Sequence, residues 1–306
     1  MKFPKLSSKA ILAPMAGVTD VAFRALARKY GAGLTYTEFV SSAAIVRNNK
    51  TTKRMTLTDP SEKIKAVQIF GNNQDELVQA AKILAKDFDI IDLNCGCPAY
   101  KVLKIGAGSE LLKKPEIIGS IVEKLVKATN KIITVKIRSG IDEKHINAIK
   151  VAKVAENAGA SAVTVHGRTV KQGYSNTADW DLIKKVKESL NIPVIGNGDI
   201  NSPEAFKEKL EESGVDYMMI GRAAMINPYI FKQISDYIKT GKYKSPDKLE
   251  SFFEYMKLAK KYNIPYNSIK HHAIKFTKGI DSGSAIRIKM SQCKDIDSLK
   301  KILKNL

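Results

Sequence analysis

A cysteine held between glycine and proline is the residue of this chain whose setting most clearly suggests chemistry. Cys97 lies in the segment Leu93-Asn94-Cys95-Gly96-Cys97-Pro98, directly after the apolar run 90–93, which predicts a buried β-strand. Because glycine and proline end such a run, we expect Cys97 in a loop just beyond the strand, where it can reach a ligand. A thiol there can be a nucleophile, a proton donor, a metal ligand or a filler of space.

The remaining cysteines help to choose among these roles. Cys95 and Cys97 form one Cys-x-Cys pair, but no second cysteine or histidine cluster has the spacing of a zinc site, so we predict no metal. Three cysteines, with Cys293, do not make a disulfide framework, which favours a reducing compartment. Cys95 is interpreted as a packing residue, and the rigid turn around Cys97 favours catalysis.

Further polar residues stand at or near the carboxyl ends of other predicted strands. Lys136 lies inside the β-branched run 133–137, where a buried ammonium must meet an anion or have a lowered pKa. It is either a cation beside an electron-rich ligand or a Schiff-base nucleophile. His166 ends the next run, and we expect it to contact the same ligand. The polar residues Gln68, Asn94, Arg138 and Arg168 also stand at such positions, and Pro14, Met15 and Ala16 end the first predicted strand.

Two glycine-rich strand ends indicate an anion site. They are Gly196-Asn197-Gly198-Asp199 and Gly221-Arg222. Glycine lets backbone N–H groups approach a phosphate, the helix N-termini that follow add favourable dipoles, and Arg222 adds a charge. Many (β/α)8 barrels bind phosphate in this way. The alternative is that these glycines serve tight turns alone.

The elements that must position these residues alternate between strands and helices. Short apolar runs predict eight strands, at 11–16, 34–38, 66–70, 90–93, 133–137, 162–166, 193–196 and 217–221. Amphipathic segments predict helices at 74–88, 115–129, 145–157, 180–190 and 203–212, with a weaker helix at 41–48. This alternation indicates parallel βαβ units, so we predict a (β/α)8 TIM barrel over residues 1–240. A doubly wound sheet is the alternative, but the first turn lacks its glycine fingerprint.

Residues 241–306 differ in pattern and in charge. After a predicted linker at 240–246, helical patterns at 246–262, 268–279, 282–292 and 296–306 predict a small all-α bundle. An apolar stripe would form its core, and His271 and His272 are expected at its surface or in its packing; the stripe is Phe252, Phe253, Met256 and Ala259. The net charge is +20, of which +9 falls on these 66 residues. Such a basic surface suits a polyanion, most often nucleic acid.

The expected location follows from what the chain lacks. No apolar run approaches the roughly 20 residues that span a bilayer, so we predict no membrane partner. The amino-terminal residues lack the apolar segment of a signal peptide, so we expect a cytoplasmic protein.

Taken in order, these motifs resemble the signature of the tRNA-dihydrouridine synthase family. The central stretch is Asp92-Leu93-Asn94-Cys95-Gly96-Cys97-Pro98, which continues to Gly106-Ala107-Gly108. The flanking motifs are Ala13-Pro14-Met15-Ala16-Gly17-Val18-Thr19-Asp20, Lys136-Ile137-Arg138, His166-Gly167-Arg168-Thr169, Ala178-Asp179-Trp180 and Gly196-Asn197-Gly198-Asp199-Ile200. The resemblance spans residue 11 to about residue 230. Cys95 departs from it, since the family usually has a non-thiol residue there.

The resemblance implies an FMN-dependent enzyme that reduces the C5–C6 bond of uridines in tRNA, with NADPH or NADH as reductant. It makes Cys97 the general acid that protonates C5 after the flavin delivers hydride to C6. It places around the flavin ring and ribityl chain Pro14, Met15, Ala16, Gln68, Lys136 and His166. It places around the phosphate Asn197, Gly198, Asp199, Gly221 and Arg222. Asn94, Arg138 and Arg168 would face the substrate, and no protein partner is implied.

Two other functions stay open from the residues alone. One is a metabolic barrel enzyme, either another FMN reductase or a lyase that uses Lys136 as a Schiff base. The other is a non-catalytic RNA-binding protein whose barrel is only a platform. Flavin absorbance separates the synthase from the lyase and the platform.

Overall fold

Eight parallel strands form a closed barrel in a computed structural model, which describes residues 1–245, 247–279 and 283–303. Each strand pairs with the next along the chain, and the first pairs with the last. The strands are β1 (Ala10–Leu12), β2 (Leu34–Ser41), β3 (Ala66–Phe70), β4 (Ile90–Cys95), β5 (Ile132–Arg138), β6 (Ala162–His166), β7 (Val194–Asn197) and β8 (Tyr217–Ile220). The predicted (β/α)8 TIM barrel is confirmed.

Helices cover the outside of the barrel and follow it at the carboxyl terminus. Those of the barrel region are α1 (Val21–Lys29), α2 (Ser42–Val46), α3 (Lys50–Met55), α4 (Gln74–Leu84), α5 (Tyr100–Leu103), α6 (Pro115–Thr129), α7 (Ala148–Asn157), α8 (Trp180–Glu188), α9 (Pro203–Ser213), α10 (Arg222–Ile226) and α11 (Ile230–Thr240). A 3-10 helix spans Gly108–Lys113. The later helices are α12 (Lys248–Lys261), α13 (Tyr266–Phe276), α14 (Gly283–Gln292) and α15 (Ile296–Leu303). No helix of the described residues is long and apolar enough to cross a membrane.

Side-chain alternation divides the barrel into two cores. In β4, Ile91 and Leu93 belong to the layer between strands and helices, whereas Ile90 packs inside the barrel. The interior apolar layer is completed by Ile11, Leu34, Tyr36, Ala66, Ala162, Ile195 and Met219. Toward the carboxyl ends of the strands the interior becomes polar, because Gln68, Asp92 and Thr134 occupy the next register row of three neighbouring strands. The cavity described below therefore rests on a buried polar layer.

Comparison of the observed with the predicted boundaries shows which elements the local sequence pattern predicted correctly. The predicted strands 66–70 and 162–166 and the predicted helix 115–129 match β3, β6 and α6. The first strand is shorter than predicted: Pro14 lacks an N–H donor, and the Met15 carbonyl accepts from the N–H groups of Val18 and Thr19, which turns the chain. Helix α11 had no counterpart among the predicted elements.

The carboxyl-terminal helices dock on the barrel through α1. The Tyr255 hydroxyl of α12 donates to the Asp20 carboxylate at 2.9 Å, and His272 of α13 stacks on Phe23 with ring centroids 4.9 Å apart. His272 is fully buried, so the packing interpretation of this residue is confirmed. Asp247 caps α12. The predicted helices at 246–262, 282–292 and 296–306 also include Pro246, Ser282 and residues 304–306, which lie outside the described residues.

The predicted stripe on α12 is buried only in part. Phe252 and Ala259 are fully buried, while Phe253 and Met256 are half-buried. Tyr255, which the stripe did not include, is fully buried. The reason is that α12 packs against α1 of the barrel as well as against its neighbour α13, so two faces of the helix are covered.

Candidate active site

A cavity of about 940 Å³ opens at the carboxyl ends of the strands. Its wall includes every predicted site residue except Arg168: Pro14, Met15, Ala16, Gln68, Asn94, Cys97, Lys136, Arg138, His166, Asn197, Gly198, Asp199, Gly221 and Arg222. Half of them lie in the loop after a strand, and almost all the others lie within the strands near their carboxyl ends, as expected for a barrel of this class. The fold thus brings together residues as far apart in the chain as Pro14 and Arg222.

Backbone contacts hold the loop that carries Cys97. The Asn94 side-chain oxygen accepts from the N–H groups of Gly96 at 3.1 Å and Cys97 at 2.9 Å. Arg138 Nε donates to the Gly96 carbonyl at 3.0 Å, and the Ser109 hydroxyl donates to the Cys97 carbonyl at 3.0 Å. Three side chains therefore hold the loop in place, and the Cys97 thiol is half-buried at the cavity wall.

A close approach explains one glycine of the motif that follows. Gly108 has φ +63°, and a Cβ on it would lie 2.8 Å from the Cys97 carbonyl oxygen and 2.7 Å from the Val102 side chain. Any larger residue would push the Cys97 loop away. Gly108 is thus required for the position of the thiol.

Burial keeps the Cys97 thiol protonated. It raises the pKa of Cys97, against smaller opposing effects of the Ala99 N–H and of the Arg138 and Lys136 charges. Those same groups would stabilise the thiolate after a proton has left. The residue is suited to giving up a proton and taking one back.

Burial lowers the pKa of two basic residues on the cavity wall. Burial and the neighbouring Arg138 charge lower the pKa of Lys136 to about 8, although Asp92 opposes the shift. Burial and the charges of Lys136 and Arg138 lower the pKa of His166 to about 2, so its imidazole is neutral. Lys136 Nζ donates to the Asn197 side chain at 3.1 Å. The wall therefore offers a cation and a neutral ring side by side.

The corner formed by the ends of β7 and β8 carries concentrated positive charge. The Asp199 carboxylate accepts from Arg168 Nη2 and Arg222 Nη2, each at 2.8 Å, and from the Ala178 N–H at 2.7 Å. Although burial raises the pKa of Asp199, these hydrogen bonds lower it below its usual range. Because this carboxylate accepts from two guanidinium groups, it orients Arg222 at the cavity wall.

Gly198 completes the same corner. Its φ is +140°, and a Cβ there would lie 2.4 Å from the Ala178 Cβ, so only glycine fits. The backbone of the β7 end can therefore lie directly on the cavity wall.

Arg168 lies apart from the cavity wall. Its side chain is 2% exposed, and it donates through Nε to the Ser175 carbonyl at 3.0 Å and through Nη2 to the Asn176 carbonyl and Asp199. These contacts hold the loop after β6, and the side chain does not line the cavity. The sequence placed Arg168 at a strand end but could not give the fold of the following loop.

Several cavity residues were not predicted to belong to the site. Tyr174 is 63% exposed, and Arg222 Cζ lies 4.7 Å from its ring centroid. His271 and Lys278 line the cavity from the carboxyl-terminal helices. An aromatic residue between two motifs was a usable signal for Tyr174. No local signal linked His271 or Lys278 to a barrel mouth, because that contact depends on how the helices dock.

The barrel and its cavity define the class: a TIM-barrel enzyme with a protonated thiol and a cationic wall at the carboxyl ends of its strands. The sequence profile of the dihydrouridine synthase (Dus) family matches residues 11–306. A probable tRNA-dihydrouridine synthase of Rickettsia conorii is 45% identical over 243 residues, which are 79% of this chain and 73% of that relative. One of Rickettsia prowazekii is 38% identical over 310 residues, covering 97% of this chain and 93% of that relative. This chain belongs to the dihydrouridine synthase family.

A solved structure outside the family shares the fold. The 6-hydroxypseudooxynicotine amine oxidase of Pseudomonas geniculata N1 superposes with a TM-score of 0.61 at 12% identity, over 83% of this chain and 50% of that one. At this identity the likeness supports the barrel architecture alone.

Proposed function

We propose that this protein is an FMN-dependent tRNA-dihydrouridine synthase, with NADPH or NADH as reductant. The observation that carries the proposal is the protonated Cys97 thiol in one cavity with Lys136 and the Arg222 corner. Membership of the family supports the reaction, and the names of the relatives from both Rickettsia species support tRNA as the substrate.

The cavity residues fit FMN. A volume of about 940 Å³ lies within the range of about 300 to 1,000 Å³ typical of cofactor pockets. The backbone at Gly198, where only glycine fits, can approach a phosphate closely, and the Arg222 guanidinium supplies a positive charge. Lys136 and the neutral His166 suit an electron-rich ring, together with Gln68 and the backbone of residues 14–16.

Cys97 performs the proton transfer in this proposal. When bound and reduced, FMN supplies the hydride that adds to C6 of the uracil. The Cys97 Sγ donates its proton to C5, so hydride and proton together saturate the C5–C6 bond. Arg138 and Lys136 stabilise the thiolate that remains until solvent returns a proton. Asn94 and Arg138 line the wall beside the thiol, where they would hold the uracil.

The position of the carboxyl-terminal helices supports an RNA substrate. A uridine must leave the stack of its RNA to enter a barrel mouth. His271 and Lys278 line that same mouth, so the RNA around an extruded base would meet the basic helices. Residues 241–306 would then serve as a tRNA-binding domain beside the catalytic domain 1–240.

The test is NADPH-dependent dihydrouridine formation in unmodified tRNA. Because a general acid contributes about 10²–10⁴ in rate, Cys97→Ala should lower product formation by that factor and leave flavin absorbance unchanged. The matched control is Cys95→Ala, since Cys95 is a buried thiol two residues away and faces the outer core. Full activity in Cys97→Ala would refute the acid role, and equal turnover of free uracil would refute tRNA as the substrate. A colourless protein that does not bind added FMN would refute the flavin assignment.

A further inference from the structure

A buried carboxylate lies one layer below the cavity and has no role in the reaction as proposed. Asp92 points into the barrel from β4 and is 1% exposed. Its Oδ2 accepts from Gln68 Nε2 at 2.7 Å, and its Oδ1 accepts from the Thr134 hydroxyl at 2.6 Å. Burying a carboxylate is costly even when it is hydrogen-bonded, so a role for Asp92 has to be sought in what its contacts hold in place.

A chain of hydrogen bonds connects Asp92 to the Cys97 loop. Gln68 donates to Asp92 and accepts from Asn94 Nδ2 at 2.8 Å through its own Oε1. The Asn94 oxygen then accepts from the backbone N–H groups of Gly96 and Cys97. The three side chains come from β3 and β4, where Gln68 and Asp92 pair in register.

The two ends of this chain impose one direction on the amides between them. An ionised carboxylate only accepts, so Gln68 must turn its NH2 group toward Asp92. A backbone N–H only donates, so Asn94 must turn its oxygen toward Cys97. Gln68 Oε1 and Asn94 Nδ2 then face each other with the correct polarity. The two hydrogen bonds from the Gly96 and Cys97 N–H groups to the Asn94 oxygen form a clamp on the Cys97 loop. If Gln68 were turned over, its NH2 group would meet that of Asn94, and this clamp would weaken.

We propose that Asp92 is a positioning residue that fixes the orientation of Gln68 and Asn94 and thereby holds Cys97 at the cavity wall. The role of the thiol as proton donor rests on the function proposed above, while the clamp itself does not. Burial raises the pKa of Asp92 to about 6, against the hydrogen bonds from Thr134 and Gln68. Because this pKa lies below 7, the carboxylate is mostly ionised at neutral pH, and both of its oxygens can accept hydrogen bonds.

Substitutions of Asp92 separate this role from simple filling of the interior. Asp92→Leu has nearly the same shape and removes both acceptors, which frees Gln68 to turn over. Asp92→Asn keeps an oxygen for Gln68 and can turn its NH2 group to the Thr134 oxygen, so it preserves the direction of the chain. The matched control is Thr164→Val: Thr164 is fully buried in β6, two strands away from Asp92 in the barrel, its hydroxyl has no hydrogen-bond partner among the described residues, and it takes no part in the chain.

The first readout is the rate at which iodoacetamide alkylates Cys97, located by fragmentation mass spectrometry to separate it from Cys95. We expect Asp92→Leu to raise this rate at least about fivefold, because the released loop exposes the half-buried thiol. Asp92→Asn and Thr164→Val should stay within about twofold of the wild type. A rate in Asp92→Leu within twofold of the wild type, or a lower one, would overturn the proposal. If the Leu variant does not fold, Asp92→Ala removes the same acceptors and the same criterion applies.

The second readout is a double-mutant cycle on dihydrouridine formation. Asp92→Leu should lower the rate at saturating tRNA about tenfold or more in the wild type and about twofold or less in a Cys97→Ala background, because it acts through the thiol. An equal loss in both backgrounds would mean a general structural role and would overturn the proposal. If the wild-type protein makes no dihydrouridine, the proposed function fails, while alkylation of Cys97 still tests the clamp.

Discussion

Burial sets the protonation states of the residues that would do the chemistry. It is the largest influence on the pKa values of Cys97, Lys136 and His166, and it favours the uncharged form of each. The thiol and the imidazole are thereby fixed as neutral groups at pH 7. Lys136 differs from them because its pKa of about 8 lies close to that pH.

The affinity for FMN should therefore depend on pH through Lys136. Below pH 8 the Lys136 ammonium is charged and can face an electron-rich ring. Above pH 8 Lys136 of the free protein is mostly neutral, so it must take up a proton from solvent when FMN binds, and this uptake weakens binding. We expect Kd for FMN to be level from pH 7 to about 8 and to rise up to about tenfold per pH unit above that. Fluorescence quenching of FMN up to about pH 9.5 measures it.

Two variants control this measurement. Lys136→Arg keeps a charge that does not titrate in this range, so its Kd should stay level with pH. Lys136→Met has no charge, and its Kd should be raised and level. A level profile in the wild-type protein would contradict the link between flavin binding and the Lys136 proton.

Residue positions at the strand ends were predictable, while their partners were not. Lys136 and His166 could be placed at one mouth because parallel strands of a barrel end together. The contact of Asp199 with two arginines, and the burial of Arg168, depend on how the loop after β6 folds back. A carboxylate inside the apolar strand at Asp92 was a visible signal, but its chain of amides exists only once β3 and β4 pair.

The connection between β1 and α1 is supported by a buried ion pair. Arg24 of α1 donates through Nε to Glu62 at 2.8 Å, and both side chains are almost fully buried. Arg24 also donates to the Thr19 carbonyl at 2.7 Å, and the Thr19 hydroxyl accepts from the Met15 N–H at 3.1 Å. The ion pair thus supports the backbone of residues 14–16 on the cavity wall.

Removing one partner of this pair should destabilise the protein strongly. Glu62→Ala leaves the Arg24 charge buried without its partner, which costs about 3–5 kcal/mol in the free energy of unfolding. Urea denaturation measures this cost. Glu254→Ala removes the partner of the exposed Lys29 and should cost only about 0–1 kcal/mol. Equal losses for the two variants would show that the buried pair has no special weight.

Elements with a complete local signal were predicted best. Helix α6 begins with Pro115 at its first turn and carries a clear apolar face, and its bounds match the prediction. Helix α11 was missed because the prediction assigned only strands and linking helices up to residue 240. The docking of α12 on α1 joins segments more than two hundred residues apart, so no local pattern could give it.

The two ends of the barrel differ: the cavity opens at the carboxyl ends of the strands, and the amino-terminal segment closes the opposite end. At the amino ends of the strands, the Tyr217 hydroxyl accepts from the Leu6 N–H at 3.3 Å, and the Phe3 ring lies 5.5 Å from that of Tyr217. The amino-terminal segment thereby covers this end. At the other end, His271 of α13 and Lys278, two residues beyond that helix, line the cavity mouth. Lysines near the open end can therefore contact RNA whose base enters the cavity, whereas lysines near the closed end are too far from it.

Binding of tRNA should therefore depend on which lysines are neutralised, at equal net charge. Lysine contacts with phosphates release counterions, so each lost contact lowers the slope of log K against log salt by about 0.7–0.9. We expect Lys275→Ala with Lys278→Ala, on and just beyond α13, to weaken binding severalfold and to lower the slope by about 1–2. Lys5→Ala with Lys9→Ala, at the closed end, is the matched control and should change neither quantity measurably. Fluorescence anisotropy of labelled tRNA between about 50 and 300 mM KCl gives both quantities. Equal effects of the two pairs would mean that total charge, not the basic mouth, attracts the tRNA.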